Sequence, residues 1–155
     1  MYWPGAKNAV TGKGANKEME LCYTEEKKFS REDVQGLFLS VGWISGEYPA
    51  RLYRALMNSS AVFTVWDGSR LVGLLRALDD GEMMAFLHYL LVRPDYQGRG
   101  IAGRLVALAK EKYKDYLYIN IMPEESKNAA FYEKHGFRRM EDGVAMQICN
   151  FAGRE

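Results

Sequence analysis

The stretch between residues 90 and 122 constrains the fold of this chain most strongly, because it has the pattern of strand, glycine-rich turn, helix and strand. An apolar run ends at Val92, an amphipathic pattern extends from about Gly100 to Tyr113, and a second apolar run follows at Tyr116–Met122. Strands joined through a crossover helix are parallel, and such connections are right-handed. The sequence therefore predicts one parallel βαβ unit.

The β segments before this unit are too closely spaced for a crossover. They are predicted at Ala61–Trp66, Leu71–Leu78 and Met83–Val92, with Asp67-Gly68 and Asp79-Asp80-Gly81 between them. Aspartate followed by glycine is a strong hairpin signal, because glycine tolerates a positive φ angle. These three strands are therefore predicted to be antiparallel.

The remaining elements complete a mixed sheet with helices on its faces. Ser30 and Asp33 have the spacing of a capping box, and Pro49 suits a first helical turn, so two helices are predicted before the hairpins. A first strand, a short fourth helix and two closing strands are predicted at Met19–Tyr23, Ser126–Lys134, Phe137–Met140 and Val144–Asn150.

These elements predict an α/β fold whose mixed, mostly antiparallel central sheet has six to seven strands flanked by about four helices. A length of 155 residues corresponds to one domain, which is predicted over residues 18–155. Residues 1–17, with their glycines and lysines, are predicted to be a flexible N-terminal arm or an expression remnant.

The charge balance excludes a generally basic protein surface. The chain has 21 Lys and Arg residues against 20 Asp and Glu, a net charge of +1, so an anionic ligand must be met by a local arrangement of donors. Cys22 and Cys149 lack metal-ligand spacing and are predicted to be free thiols. No apolar run approaches the ~20 residues needed to span a bilayer. We expect a soluble cytoplasmic protein without nucleic-acid or membrane partners.

The turn Gly98-Arg99-Gly100-Ile101-Ala102-Gly103 matches the G-x-G-x-x-G fingerprint of dinucleotide-binding folds, and Glu124 lies about 20 residues further on. In that fingerprint the glycines follow the strand directly, whereas Gly98 here comes six positions after Val92. Under either interpretation, unpaired N–H groups at a helix N-terminus suit a diphosphate, and Arg99 and Arg104 add positive charge there. The alternative is a tight turn whose glycines serve backbone geometry alone.

Two segments carry a resemblance to a known family. Leu90-Leu91-Val92-Arg93-Pro94-Asp95-Tyr96-Gln97-Gly98-Arg99-Gly100-Ile101-Ala102 resembles the acetyl-CoA signature of the GNAT acyltransferases, whose core is Gln/Arg-x-x-Gly-x-Gly/Ala. Ala130-Phe131-Tyr132-Glu133-Lys134-His135-Gly136-Phe137 resembles the later Phe-Tyr-Glu-Lys-x-Gly-Phe segment of that family. The predicted order of elements from about Met19 to Phe151 is also that of the family.

The resemblance implies that an acetyl group passes directly from acetyl-CoA to a primary amine in a ternary complex. It places the diphosphate on the turn, the pantetheine arm along the strand before it, and the thioester carbonyl on the Val92 N–H group. Many members have an asparagine seven residues before the tyrosine; Glu125 stands here, and Asn128 is the substitute. The implied cosubstrate-binding residues are Leu90, Leu91, Val92, Gln97, Gly98, Arg99, Gly100, Ile101, Ala102, Gly103, Arg104, Asn128 and Tyr132.

Two residues are candidates for the proton transfers. Tyr132 matches the general acid of the family, and a phenol with a reference pKa of ~10 lies near a thiol at ~8.5; the alternative is an aromatic plug between helix and sheet. His88 lies in an apolar run four residues before Val92, where related amine acetyltransferases place a base. An imidazole near ~6.5 suits that role; the alternative is a strand histidine satisfied by a neighbour.

The acceptor is the least constrained part of the prediction. The resemblance places Trp43, Glu47 and Tyr48 beside the acceptor site, where an aromatic pair and a carboxylate would suit a cationic amine, although Trp43 could simply fill core space. Neither histidine has partners at metal-ligand spacing, so no metal is predicted. A catalytically silent acyl-CoA-binding module, a nicotinamide dinucleotide enzyme and a homodimeric assembly remain open.

Overall fold

The computed structural model describes residues 20–151. The prediction for residues 1–17, and the proposed start of the first strand at Met19, lie outside the described residues. The five strands are β1 (Leu21–Thr24), β2 (Ala61–Asp67), β3 (Arg70–Asp79), β4 (Met84–Val92) and β5 (Tyr118–Ile121). The helices are α1 (Arg31–Ser40), α2 (Pro49–Met57), α3 (Ile101–Lys112) and α4 (Ala129–Lys134), and short 3-10 turns occupy Ile44–Glu47, Pro94–Tyr96 and Ser126–Asn128.

The strands form one mixed sheet in the order β1-β2-β3-β4-β5. The first four strands are antiparallel, and β5 pairs with β4 in parallel. The hairpins and the single βαβ unit predicted from the sequence are therefore confirmed. Local capping also agrees: the Ser30 N–H donates to the Asp33 carboxylate at 2.8 Å, and the Asp33 N–H donates to Ser30 Oγ at 3.0 Å.

The prediction of six to seven strands is wrong for the part of the chain that the structure describes, which has five. The segments predicted as closing strands, Phe137–Met140 and Val144–Asn150, do not pair with the sheet. The apolar side chains of Val144, Met146 and Ile148 are 84–89% exposed. Alternating hydrophobicity describes a strand only where a neighbouring strand accepts its hydrogen bonds, and no described strand does so here.

The core lies on both faces of the sheet. On one face, Ile101, Leu105 and Ala109 of α3 pack on the sheet; on the other, helices α1 and α2 cover a second cluster that includes Phe38 and Leu91. None of the helices in residues 20–151 is both long and apolar enough to cross a membrane.

A bulge in β4 interrupts this regular pattern. Leu74 pairs with Leu91 and Arg76 pairs with His88, so one residue of β3 faces both Tyr89 and Leu90 of β4. Tyr89 has φ +56°, the only positive φ of a non-glycine residue among those described. A bulge bends a strand and redirects its side chains, and here it sends Tyr89 to the α1 face and Leu90 to the α3 face.

Candidate active site

The pairing of strand β4 with the edge strand β5 covers only the first half of β4. Their pairing extends from Met84 opposite Tyr118 to Leu87 opposite Ile121 and stops there, so the second half of β4 has no described partner on that side. The bulge and the end of β5 coincide with this point. Beyond Leu87, the edge of β4 that faces away from β3 pairs with no described strand, and the space along this unpaired edge is called the gap between β4 and β5 below.

The backbone of Val92 faces this gap. The Arg93 N–H donates to the Val72 carbonyl of β3 at 2.8 Å. Neighbouring residues of an antiparallel strand direct their polar groups to opposite sides, so the N–H and carbonyl of Val92 point away from β3. Gln97 Nε2 donates to the Val92 carbonyl at 3.0 Å, which agrees with that direction and leaves the Val92 N–H directed toward the gap.

The glycine-rich turn lies just beyond Val92 and leads into α3. Gly98 and Gly100 have φ angles of +75° and +77°, and an added Cβ at either position would meet no atom within 4 Å. No side chain in the described part of the chain caps the N-terminus of α3 at Gly100, and the first N–H groups of any helix lack intrahelical acceptors. The turn therefore presents open space in front of free backbone donors at the positive end of a helix dipole.

The Gln97 N–H is not an open donor, and the missing side chain of Gly103 has a packing role. The Gln97 N–H donates to the Pro94 carbonyl at 3.3 Å, so this amide holds the turn together, as its side chain does through Val92. An added Cβ at Gly103 would lie 3.0 Å from His135 Cε1. This glycine therefore allows the end of α4 to approach α3.

The two arginines at the turn differ in their surroundings. The Arg99 guanidinium lies 5.2 Å from the centroid of the Tyr96 ring and donates to the Asp95 carbonyl at 2.9 Å, so it stays beside the turn. Arg104 has a buried Nε without a hydrogen-bond partner among the described residues. Burial raises the pKa of Tyr23 in β1, and the positive charge of Arg104 partly offsets that rise. Arg104 therefore interacts electrostatically with β1.

Tyr132 is buried on α4, with 9% of its surface exposed. Its ring makes edge contacts with Phe131 and Phe137, at centroid distances of 5.0 and 5.8 Å. Burial raises the pKa of its phenol to about 12, so the hydroxyl keeps its proton throughout the neutral range. Asn128, in contrast, is exposed at the start of α4, and its side chain does not cap that helix.

His88 lies on the α1 side of the sheet, within a cluster of polar and aromatic groups. Its Nδ1 is 3.2 Å from Arg76 Nη1. A guanidinium can only donate, so Nδ1 accepts and the proton of the neutral ring resides on Nε2. Burial, and then the Arg76 charge, lower the pKa of His88 to about 4, below the ordinary value on which the sequence prediction relied.

Tyr89 connects this cluster to the predicted acceptor residues. Its ring lies 3.9 Å from the His88 ring and 5.8 Å from the Trp43 ring, and its hydroxyl forms a 2.8 Å hydrogen bond with Ser45 Oγ. Trp43 also packs against the core residue Phe38 at 5.9 Å, so it serves the core and borders the cluster. Glu47 is exposed and Tyr48 is half-buried on the same connection between α1 and α2.

Sequence reasoning missed Arg76 and Ser59. Arg76 Nε donates to Ser59 Oγ at 2.8 Å, and the guanidinium lies 5.5 Å from the centroid of the Tyr89 ring. A charged residue in the interior of β3, with apolar neighbours on both sides, was a signal that could have identified this position.

Comparisons with known proteins agree with this geometry. The model of the acetyltransferase (GNAT) family matches residues 22–137. An uncharacterized N-acetyltransferase ycf52 of Pyropia yezoensis is 28% identical over 132 residues, covering 81% of this chain and 74% of that protein. The chloroplastic GCN5-related N-acetyltransferase 2 of Arabidopsis thaliana is 25% identical over 146 residues, which cover 81% of this chain and 56% of that protein.

Solved structures show the same fold. A GNAT-family acetyltransferase of Streptococcus pneumoniae superposes with a TM-score of 0.73 at 30% identity, covering 85% of this chain and 99% of that one. Glucosamine-6-phosphate N-acetyltransferase of Arabidopsis thaliana superposes with a TM-score of 0.63 at 11% identity, covering 86% and 99% of the two chains. The second likeness concerns the fold alone.

Proposed function

The chain belongs to the GNAT acetyltransferase family, and on that premise we propose that it transfers an acetyl group from acetyl-CoA directly to a primary amine. The observation that carries the proposal is the gap between β4 and β5, which the Val92 N–H faces and which the turn at Gly98 and Gly100 follows. Donors for a thioester carbonyl and for a diphosphate thus follow one another along the chain.

The residues of the gap and the turn fit this cosubstrate. The N–H groups of Ile101, Ala102 and Gly103 would receive the diphosphate, since they are the unpaired donors of the first turn of α3. Open space at the two preceding glycines leaves room for the phosphate oxygens. Leu90 and Leu91 would line the pantetheine arm along the same strand as Val92.

The chemistry of the transfer requires a stabilised oxyanion, removal of a proton from the amine and stabilisation of the departing thiolate. The bound thioester supplies an activated acetyl carbon, to which the amine nitrogen bonds while the carbon–sulfur bond breaks. The Val92 N–H would stabilise the carbonyl oxygen as it becomes negative. Tyr132 would donate a hydrogen bond to the sulfur as it leaves, because a phenol with a pKa of about 12 holds its proton firmly and still stabilises a thiolate.

His88 is the proposed acceptor of the amine proton, directly or through a water molecule. Its Nδ1 lone pair accepts from Arg76 in the structure, so this nitrogen becomes a base when the Arg76 donor moves to another acceptor. Trp43, Glu47 and Tyr48 remain the proposed border of the acceptor site.

Ligand-dependent stability distinguishes this proposal from a nicotinamide dinucleotide enzyme. At acetyl-CoA concentrations of about 100 Kd, the native state should gain about 2.7 kcal/mol, which raises Tm by roughly 5–10 °C in a domain of this size. NAD and NADP at equal concentration should leave Tm unchanged. Thermal unfolding with each ligand measures the difference, and stabilisation by NAD or NADP alone would overturn the proposal.

A panel of amines then distinguishes an enzyme from a silent acyl-CoA-binding module. Small amines, lysine peptides and peptides with a free N-terminus are offered with acetyl-CoA, and the release of CoA is measured together with the mass of the product. We expect at least one acceptor to gain an acetyl group. Tight binding of acetyl-CoA without product from any acceptor supports the silent module.

The pH dependence of kcat/KM tests the role of His88. Because the imidazole pKa lies near 4, His88 is neutral from pH 5 upward, and an acidic limb between pH 6 and 9 should follow the pKa of the acceptor amine. His88→Gln retains an oxygen that can accept from Arg76 but cannot take a proton, and we expect it to lower kcat about tenfold. Profiles for two acceptors of different amine pKa check both points. An acidic limb near pH 6.5 that is independent of the acceptor and vanishes in His88→Gln would contradict the shifted pKa.

The proposed location is the cytoplasm. Because the Arabidopsis relative is named chloroplastic, subcellular fractionation of the source cells is the measurement that tests this location.

A further inference from the structure

Arg76 is a half-buried cation without an acidic partner. Its guanidinium is held by Ser59 Oγ, by His88 Nδ1 and by the face of the Tyr89 ring. Among the described residues, no carboxylate forms an ion pair with it. Burying a charge without a counter-ion is unfavourable, and burial lowers the pKa of this guanidinium. Arg76 therefore lacks a negative partner at a position where one would stabilise it.

The Arg76 guanidinium has more N–H groups than the hydrogen bonds it makes to described residues. Of its five N–H groups, one on Nε serves Ser59 and one on Nη1 serves His88. The remaining three have no acceptor among the described residues. Nη2, which carries two of them, is also not fully buried, because Arg104 Nε is the only buried side-chain polar atom in residues 20–151 without a partner. Nη2, with the second N–H group of Nη1 beside it, thus offers an edge of donors suited to two oxygen atoms.

These N–H groups of Arg76 lie near the residues that we propose for the acceptor site. Arg76 contacts His88 on β4, and the Tyr89 ring links that pair to Trp43 and Ser45 in the connection between α1 and α2. An anion bound here would lie on the α1 face of the sheet, beside His88.

We propose that Arg76, held in place by Ser59, forms an anion-binding subsite for the acceptor, so that the preferred substrate is an amine carrying a carboxylate or a phosphate. This inference rests on the proposed acetyl transfer. An oxyanion that takes the Nη1 donor of Arg76 releases the Nδ1 lone pair of His88. The subsite would therefore couple recognition of the acceptor to the availability of the proposed base.

Matched acceptors test this subsite. An amino acid is compared with its carboxamide, and phosphoethanolamine with ethanolamine, with kcat/KM measured for each. We expect the anionic member of at least one pair to be preferred at least tenfold, because hydrogen bonds to charged groups are the strong ones. The pair with the larger preference identifies carboxylate or phosphate as the anion. Equal kcat/KM values within both pairs would overturn the proposal.

Variants of Arg76 assign that preference to the guanidinium. In Arg76→Gln the ratio of kcat/KM between anionic and neutral acceptors should fall toward one, mainly through a higher KM for the anionic member. Arg76→Lys retains the charge and should restore part of the ratio. Arg54→Gln removes an exposed arginine of α2 and should leave the ratio unchanged. A ratio that survives Arg76→Gln would contradict the assignment.

A binding measurement separates failure of the subsite from failure of the proposed function. Calorimetry with CoA present compares an N-acetylated amino acid with its N-acetylated carboxamide, and N-acetylated phosphoethanolamine with N-acetylethanolamine, so no turnover is needed. Binding of the anionic member at least tenfold tighter, lost in Arg76→Gln, supports the subsite. Equal affinities within both pairs refute it. Absence of product from every amine counts against the proposed function alone.

Discussion

Gly100→Glu is expected to weaken acetyl-CoA binding at least 100-fold, by roughly 3 kcal/mol. The added side chain enters the open space in front of the α3 N-terminus, where no atom lies within 4 Å of a Cβ. Its carboxylate would repel the diphosphate and compete for the same backbone donors, and charge-assisted hydrogen bonds of this kind are worth ~1.5–3 kcal/mol each. Isothermal titration with acetyl-CoA measures the loss.

A matched variant separates this effect from backbone strain. Gly100 has a positive φ angle, so any side chain there also costs ~1–2 kcal/mol of stability. Gly81 lies in the turn between β3 and β4 with φ +85° and equally open surroundings. Gly81→Glu should therefore lower the free energy of unfolding similarly while leaving acetyl-CoA affinity unchanged. If folded Gly100→Glu binds as tightly as Gly81→Glu, the turn is not the diphosphate site.

Tyr132→Phe is expected to lower kcat by about 100-fold or more while leaving acetyl-CoA affinity nearly unchanged. The substitution retains the ring between Phe131 and Phe137 and removes only the hydroxyl that would meet the leaving sulfur. Loss of an interaction made only in the transition state lowers kcat and kcat/KM together. Because burial raises the pKa of this phenol to about 12, the wild-type rate should show no loss from Tyr132 ionisation up to pH 10.

Tyr113→Phe is the control for this change. Tyr113 is also a buried tyrosine. Its hydroxyl donates at 2.8 Å to the carboxylate of Asp79, the last residue of β3. Removing that hydroxyl should lower the free energy of unfolding by ~1 kcal/mol and leave kcat unchanged. Steady-state kinetics and denaturant unfolding of both variants make the comparison. If Tyr132→Phe retains the wild-type kcat, Tyr132 is not the general acid and serves only as an aromatic plug between helix and sheet.

The sequence predicted the fold well where local signals act. The hairpins at Asp67-Gly68 and Asp79-Asp80-Gly81, the capping box at Ser30 and the βαβ unit depend on turn residues and short-range patterns, and all are present. The closing strands were predicted at Phe137–Met140 and Val144–Asn150, around the turn signal Asp142-Gly143. A strand also depends on a neighbour that pairs with it, which the pattern of one segment does not contain.

The candidate site also has features that local sequence predicts and features that depend on neighbouring elements. The glycine turn and Tyr132 could be located from contiguous motifs, and their assignment to the reaction stays a prediction. His88 was also located from the sequence, but its surroundings were not. Arg76 Nη1 approaches its Nδ1 because the bulge in β4 pairs His88 with Arg76, and neither residue is near the other along the chain.

The sequence by itself determined the order of elements, the single parallel crossover and the position of the glycine-rich turn. These depend on hydrophobic periodicity and on backbone angles that few residues adopt, which are local properties. Only the tertiary structure decided which protons His88 and Tyr132 hold and that Arg76 lies against His88. Ionisation depends on burial and on charges brought close from other elements, and these exist only once the strands and helices have packed.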